Sequence, residues 1–383
     1  MNTALENIVE ELQLDKSKWK LTKFGDVVIQ QKGKVDRDNT KLTRYIQGGH
    51  MNSEDLHIRN WGNLKDEYLG PAFIRKFEKG DILYGSRRTY LRKVAIADFD
   101  GITSNTTFVI KANEKNIDKR LLPFIMMSEG FTGNSIKNSK GSVNPYINWK
   151  DIAKYEFLLP PKDHQAKLAE LLWAIDDVIE MENKVLEKLK KDDLAYLKHY
   201  FYDDKTSERI KLKHIVSIKK GRKPPVLLEE GEGLPYCTAK YLRTGEIDSI
   251  VPKEAWDKSI KIDETDILVL WDGSNAGEML FGKEGFLAST MCKLTIIQEK
   301  FLKDFVFQFL RFKTNDIKRA TVGSAIPHVD PGMIENIEIP KLSLENQEAI
   351  IDRFKSIKNN MDLIESKIQS SKALQKSLIN QVF

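Results

Sequence analysis

One block of this chain occurs twice. Gly141-Ser142, Pro145, Glu156 and Gln165 return as Gly323-Ser324, Pro327, Glu338 and Gln347 at a constant offset of 182 residues. The same offset sets Leu168 on Ile350, Leu172 on Phe354, Ile175 on Ile357, Ile179 on Met361 and Leu186 on Ile368 without a gap. A repeat of this length means that one structural plan is built twice. Upstream the offset drifts to 185, where Gly80-Asp81-Ile82-Leu83 answers Thr265-Asp266-Ile267-Leu268, as surface loops of unequal length would cause. Each copy also opens alike, Asp15-Lys16-Ser17 before Trp19-Lys20-Leu21 and Asp204-Lys205-Thr206 before Ile210-Lys211-Leu212.

Within each copy a β-rich, Gly-punctuated segment precedes a long helix. Strand candidates are Val27 to Ile29, Ile82 to Tyr84, Val94 to Ile96 and Thr107 to Ile110, then Ile215 to Ile218, Ile267 to Trp271 and Lys293 to Ile297. After Pro160-Pro161 a helix is expected to begin near Asp163, since proline suits a first turn and not a helix interior. Its apolar stripe, Leu168, Leu172, Ile175, Ile179 and Leu186, is matched by Ile350, Phe354, Ile357, Met361 and Ile368. Such stripes serve inter-helix packing, and two in one chain favour an intramolecular antiparallel pair. The expected fold class is α+β: two similar α/β domains separated by two long antiparallel helices, with a pseudo-two-fold internal duplication. The boundaries read as an N-terminal helix at 1–18 with Leu5, Ile8, Val9 and Leu12 on one face, a first domain at 19–160, a central helix at 161–204, a second domain at 205–342 and a C-terminal helix at 343–383.

Composition narrows the function classes. Lys and Arg exceed Asp and Glu by 61 to 56, a net charge of +5 that suits contact with polyphosphate over part of the surface. Cys237 and Cys292 are the only cysteines, so neither a disulfide framework nor a Cys-rich zinc site is available. The first residues, MNTALENIVEELQLD, lack the basic-then-apolar pattern of a secretory signal, and no run approaches the ~18 apolar residues of a membrane span. A cytoplasmic protein is expected.

About 37 residues of helix from Asp163 would extend roughly 55 Å. Two domains held apart by such a spacer would meet one face of B-DNA about one turn or more apart. Because the loops differ between copies, the half-sites should differ too, giving an asymmetric split target.

The segments Tyr155 to Gln165 and Ile337 to Gln347, each a proline-containing approach ending in an acidic residue, a polar one and Gln, resemble the helix starts of type I restriction-modification specificity subunits. The preceding Gly141 to Pro145 and Gly323 to Pro327 resemble the end of that family's target-recognition domain. The resemblance covers essentially the whole chain; Lys341 and Ser343 depart from it, standing where more prolines are usual. It implies a non-catalytic subunit that binds double-stranded DNA and two methyltransferase subunits, and through them restriction subunits. S-adenosylmethionine is then expected on the methyltransferase, and no cofactor on this chain.

Base readout needs Arg or Lys for guanine and Asn or Gln for adenine, while other cations position the backbone. In copy one the candidates are Lys32, Lys34, Arg37, Arg44, Gln47, His50, Arg59, Arg87, Arg88, Tyr90, Arg92, Ser142 and Asn144. In copy two they are Lys219, Lys220, Arg222, Lys223, Lys240, Tyr241, Arg243, Ser274, Asn275, Ser324 and His328. Arg87 and Arg88 stand first, in a tight loop after a strand; the bland alternative is a solvated basic face.

Catalytic motifs are wanting. Asn144-Pro145-Tyr146 resembles part of the Asn-Pro-Pro-Tyr loop of adenine methyltransferases, but copy two has Ala325-Ile326-Pro327-His328 there and no Gly-rich cofactor turn accompanies it. No P-loop is present, so any ATP-driven motor is expected elsewhere, and no HExxH or nearby cysteine pair accompanies the histidines, so no metal site is expected. Asp176-Asp177 and Asp192-Asp193 are read as solvated or subunit-facing helix positions. The competing classes are a coiled-coil scaffold without sequence-specific DNA binding and a DNA methyltransferase with a cryptic site.

Overall fold

A computed structural model describes residues 16–36, 39–66, 68–203, 207–323 and 326–383. The chain divides into two compact units, residues 1–183 with 366–383, and residues 184–365. The N-terminal helix expected over Leu5, Ile8, Val9 and Leu12 lies outside the described residues.

The first unit holds β1 (Lys20–Lys23), β2 (Val28–Gln31), β3 (Arg44–Ile46), β4 (Gly62–Asn63), β5 (Phe73–Phe77), β6 (Ile82–Gly85), β7 (Val94–Ile96), β8 (Gly101–Ser104), β9 (Thr107–Ala112) and β10 (Glu156–Leu159). One four-stranded sheet runs β2-β9-β6-β7, all antiparallel. A second runs β4-β3-β8-β5, in which β3 and β8 are parallel. β1 and β10 form a separate antiparallel pair. Short helices at Leu122–Met127 and Glu129–Lys137 pack Phe124, Ile125 and Phe131 into the core beside Phe24.

The second unit repeats this plan with β11 (Arg209–Lys211), β12 (Val216–Lys220), β13 (Leu234–Cys237), β14 (Ile250–Val251), β15 (Lys261–Ile262), β16 (Ile267–Leu270), β17 (Met279–Phe281), β18 (Gly285–Leu287), β19 (Met291–Ile296) and β20 (Glu338–Pro340). Its sheets run β12-β19-β16-β17 and β14-β13-β18-β15, with β13 and β18 parallel, and β11 pairs with β20. The duplication read in the sequence is therefore a duplication of topology. Where the two parallel strands pass, both copies use glycine. A Cβ on Gly101 would stand 2.8 Å from the Arg44 carbonyl oxygen, and one on Gly285 2.4 Å from that of Pro235.

The central helix spans Lys162–Lys198 and the C-terminal helix Leu344–Val382. Within the second unit Lys190 pairs with Glu365 at 3.4 Å and the Arg353 guanidinium lies 4.6 Å from the Tyr196 ring centre, so the helices run antiparallel. The expected α+β class with its paired long helices is thus the observed one.

The apolar stripes do more than join helix to helix. Leu168, Leu172, Ile175 and Ile179 are buried in the core of the first domain, together with Leu378, Ile379 and Val382 of the C-terminal helix. Ile350 and Phe354 are buried in the second domain with Leu197 and Phe201. Ile357 and Ile368 are buried, and Leu186 and Met361 half-buried. The sequence expectation set the two stripes against each other; the structure seats each on its own domain and closes it with residues beyond the opposite stripe. Each such side chain removed from water stabilises its unit by about 1.5–3 kcal/mol.

The repeated residues have local work to do. Gln165 is buried; its carbonyl accepts the Asp118 N–H at 2.7 Å and its amide donates to the Pro160 carbonyl at 2.8 Å. Gln347 accepts the Leu302 N–H at 2.8 Å and donates to the Lys300 and Leu342 carbonyls. Asp81 and Asp266 accept the N–H of Glu78 and Asp263 at 2.7 and 3.0 Å, closing the turn before the central strand of each sheet. Buried polar atoms left unpaired cost about 1–3 kcal/mol. Gln347→Ala should accordingly lower the stability of the second unit by about that amount, with hydrogen exchange showing the Leu302 amide losing protection; Gln165→Ala should do the same at Asp118.

Candidate nucleic-acid interface

In the first unit two loops are fastened together. Lys140 and Tyr146 exchange backbone hydrogen bonds of 2.8 and 2.9 Å, closing a hairpin over Gly141 to Pro145. Gly141 has φ +90°, which side chains rarely adopt. The hairpin is tied to the loop after β6: the Arg88 N–H donates to the Pro145 carbonyl at 2.6 Å, and the Ile147 N–H to that of Ser86 at 2.9 Å. Arg88 Nε also donates to Asn144 Oδ1 at 3.1 Å. Arg88 and Arg92, at φ 50° and 47°, bracket a single 3-10 turn over Thr89–Leu91. Left-handed backbone at non-glycine residues stores strain, which concentrates at functional loops. Arg87, Tyr90, Ser142, Val143 and Asn144 are exposed on this frame.

The second unit repeats the frame with other side chains. Val322 and His328 exchange hydrogen bonds of 3.0 and 2.8 Å over Gly323, φ +98°. Gly273 donates to the Pro327 carbonyl at 2.9 Å, and Val329 to that of Trp271 at 2.9 Å. Ser274, Asn275 and His328 are exposed, and Asp272 pairs with Lys220 at 2.8 Å. Asn144-Pro145-Tyr146 is accordingly the closing turn of a hairpin. Arg37 and Ser324 lie outside the described residues.

The candidate cations fall into two groups. Arg59 pairs with Asp55 at 3.0 Å and with Glu180 of the central helix. Arg92 pairs with Glu54 at 2.9 Å and with Glu129. Lys240 pairs with Asp248 and Glu246, and Arg243 with Glu278. The Arg44 guanidinium lies 4.8 and 4.9 Å from the ring centres of Trp61 and Phe99, at the end of β3 away from Gln47 and His50. The His50 ring packs 5.3 Å from that of Tyr45, and Tyr241 lies under the Lys283 ammonium at 5.1 Å. Lys32, Lys34, Arg87, Lys219, Arg222 and Lys223 are exposed, and none of their side chains has an ion-pair partner among the described residues. Among the described candidates, this second group and Arg88, whose side chain bonds the neutral Asn144, can offer a cation to phosphate without first breaking an ion pair.

A buried polar cluster went unread in the sequence. His57 Nε2 lies 2.7 Å from Asp176 Oδ2, and Gln375 Nε2 donates to Asp176 Oδ1 at 3.2 Å. This corrects the reading of Asp176-Asp177 as solvated: Asp177 is exposed, but Asp176 is buried. Its place on the helix, four residues after Leu172 and three before Ile179, puts it on the buried stripe. Asp193 likewise binds Arg311, at 2.8 Å. The Asp176 hydrogen bond raises the His57 pKa, outweighing desolvation, with Asp176, Glu180 and Asp55 adding charge attraction. Burial works to raise the Asp55 carboxyl, yet hydrogen bonds from Arg59, the His57 N–H and Asn52 hold it below the ordinary range. Burial pushes both Cys237 and Cys292 up to about 12, so their thiols stay protonated and inert. No cluster of His, Cys, Asp and Glu able to hold a metal occurs among the described residues.

Because the folded His57 titrates above the unfolded value, its contribution is fully present below about pH 6.5 and is lost as pH rises through the folded pKa. Thermal melts should therefore show the first unit losing stability from slightly acid to mildly alkaline pH, and His57→Gln should flatten that slope.

The family model described as the type I restriction modification DNA specificity domain matches this chain twice, over residues 16–191 and 204–371. The chain is 38% identical over 179 residues to the type I restriction enzyme MjaVIII specificity subunit of Methanocaldococcus jannaschii, covering 46% of this chain and 41% of that protein. It is 24% identical over 380 residues to the MjaIX specificity subunit of the same organism, covering 88% and 85%. Among solved structures it resembles the type I restriction-modification S subunit from M. genitalium, with TM-score 0.58 and 14% identity over 95% of this chain and 96% of that one. A chain from a structure of type I R-M complex assembly gives TM-score 0.59 at 17% identity over 95% and 97%. No described helix is long and apolar enough to cross a membrane. With the family model covering both copies of the repeat, the chain belongs to the type I restriction-modification DNA specificity family.

Proposed function

We propose that this chain is the DNA-reading subunit of a type I restriction-modification complex, recognising an asymmetric bipartite target. Each β-rich domain, over 19–160 and 205–342, reads one half-site, and the chain itself carries no catalytic centre. The observation that carries the reading is the double construction of one loop frame with different exposed side chains. Arg87, Arg88 and Asn144 stand on the first frame, and Ser274, Asn275 and His328 on the second. Equal frames give both domains the same approach to the duplex, and unequal side chains give unequal base preferences. Exposed Lys32, Lys34, Lys219, Arg222 and Lys223 supply phosphate contacts, which position without specifying.

The complex forms in the cytoplasm by docking two methyltransferase subunits, which carry S-adenosylmethionine, and restriction subunits through them. Val178 and Met181, exposed on the central helix, support a protein-docking role, since an apolar helix face in water seeks a partner. The naming of the relatives as specificity subunits is in keeping with this assignment.

Co-expression with a cognate methyltransferase, followed by mapping of methylated adenines, tests the reading. A split asymmetric motif that needs this chain supports it, whereas a methyltransferase that binds the chain yet gains no new sites overturns it. In the same assay Arg87→Ala with Arg88→Ala should relax one half-site by about 1–3 kcal/mol of discrimination and leave the other unchanged. Met181→Asp should weaken methyltransferase binding in pull-down titrations while leaving the thermal midpoint of the free chain in place.

A further inference from the structure

The Thr89–Leu91 turn of the first unit is propped from behind by segment 53–59. Ser53 Oγ donates to the Leu91 carbonyl at 2.7 Å, and the Glu54 N–H donates to that of Arg92 at 3.2 Å. The Glu54 carboxylate pairs with Arg92 at 2.9 Å and with Lys376 of the C-terminal helix at 2.9 Å. Glu54, Arg88 and Arg92 are the non-glycine residues with left-handed backbone among the described residues, and all of them lie in this turn or its prop. Strain of that kind persists only where the surroundings over-determine it.

Further along, the same segment grips the long helices. His57 Nε2 lies 2.7 Å from Asp176 Oδ2, and the other Asp176 oxygen accepts from Gln375 Nε2 at 3.2 Å. Arg59 Nη1 donates to Glu180 Oε2 at 2.9 Å. Asp55 braces the segment internally, accepting from Arg59 Nε at 3.0 Å and from the His57 N–H at 2.9 Å. The Ile96 N–H donates to the Leu56 carbonyl at 2.8 Å, which clips the segment to the edge strand β7.

The second unit keeps the first of these joints in another form, but not the acceptor of the second. Arg243, in the segment after β13, pairs with Glu278 at the end of the loop that carries Ser274 and Asn275. At the 182-residue offset Asp176 answers to Lys358, which is exposed and has no acceptor to offer. Gln375 answers to Asp193, which binds Arg311.

On the assignment of one half-site to each domain, we propose that segment 53–59 is a strut setting the Thr89–Leu91 turn against the helices, with His57 and Asp176 as positioning residues for the first domain's half-site alone. Asp176 meets a cation when His57 is protonated and a neutral ring otherwise, and charge-assisted hydrogen bonds are about twice as strong as neutral ones. The charged groups around this joint are Asp176 and Glu180 from the central helix, Glu54, Asp55 and Arg59 from the segment itself, and Lys372 from the C-terminal helix. The Asp176 hydrogen bond and the attraction of the acids raise the His57 pKa. The strut is therefore at full strength below about pH 6.5 and loosens as pH rises through the folded pKa.

The test uses the full-length chain bound to its methyltransferase, with duplexes carrying the mapped target or a single base change in one half-site. Competition binding at fixed salt should show wild-type selectivity at one half-site falling several-fold from about pH 6 to about pH 8.5, while selectivity at the other holds. His57→Gln and Asp176→Asn should each give the lower value, at that same half-site, at both ends of the range. A structural role alone would lower the thermal midpoint and leave these ratios, measured well below it, in place. Wild-type selectivity that is flat with pH, that shifts equally at both half-sites, or that survives both substitutions overturns the proposal while the DNA-reading assignment stands. A complex that discriminates at neither half-site overturns both.

Discussion

A long amphipathic helix in water is a liability until its stripe is covered, and here every level of the structure depends on that burial. Leu168, Leu172, Ile175 and Ile179 are core residues of the first domain as much as helix residues. Four rings, Phe305, Phe309, Phe312 and Phe354, surround Phe201 at 5.3 to 6.4 Å between centres, so the end of the central helix completes the second core. Neither β-rich domain is a closed core without helix. The buried amides of Gln165 and Gln347 then fix where each helix begins relative to the sheet, a polar anchor that apolar contact alone would leave free to slide.

That dependence explains why so much was legible in sequence and why the rest was not. The repeat at 182 residues held because the block from hairpin to helix is one mechanical unit: glycine turn, closing bridge, strand, buried Gln, stripe. Strands such as Val94–Ile96 and Ile82–Gly85 announce themselves by β-branched, apolar runs. The second sheet does not. β4 and β14 are two residues long, and the parallel pairing of β3 with β8 joins segments more than fifty residues apart. No local pattern encodes such pairing, which is decided by packing.

The candidate site shows the same division. Arg87 and Arg88 were visible as cations in a tight loop, but the hairpin that fastens their loop is made by backbone bonds to Pro145 and Ser86, which carry no residue-type signature. Arg59 and Arg92 look like equal candidates in a list of residues, yet both are held by carboxylates far along the chain. A sequence shows which charges exist, not which are already spent on each other. Asp176 is the exception: its helical phase put it on the buried stripe, and a charge there demands partners, which His57 and Gln375 supply.

Pairing of this kind has a consequence for recognition. A cation neutralised by Glu54 or Glu180 must give up that bond before it can serve a phosphate, so its net gain on DNA is reduced by what it already has. An exposed cation with no partner gains the whole interaction and releases counterions as it does so. The first loop frame combines the two kinds on one turn, Arg92 fixed to carboxylates at its base and Arg87 open beside Arg88 at its tip. Committed arginines thus hold the loop's shape and leave the open ones exposed at its tip, so that two domains sharing one frame can differ in the side chains at the tip alone.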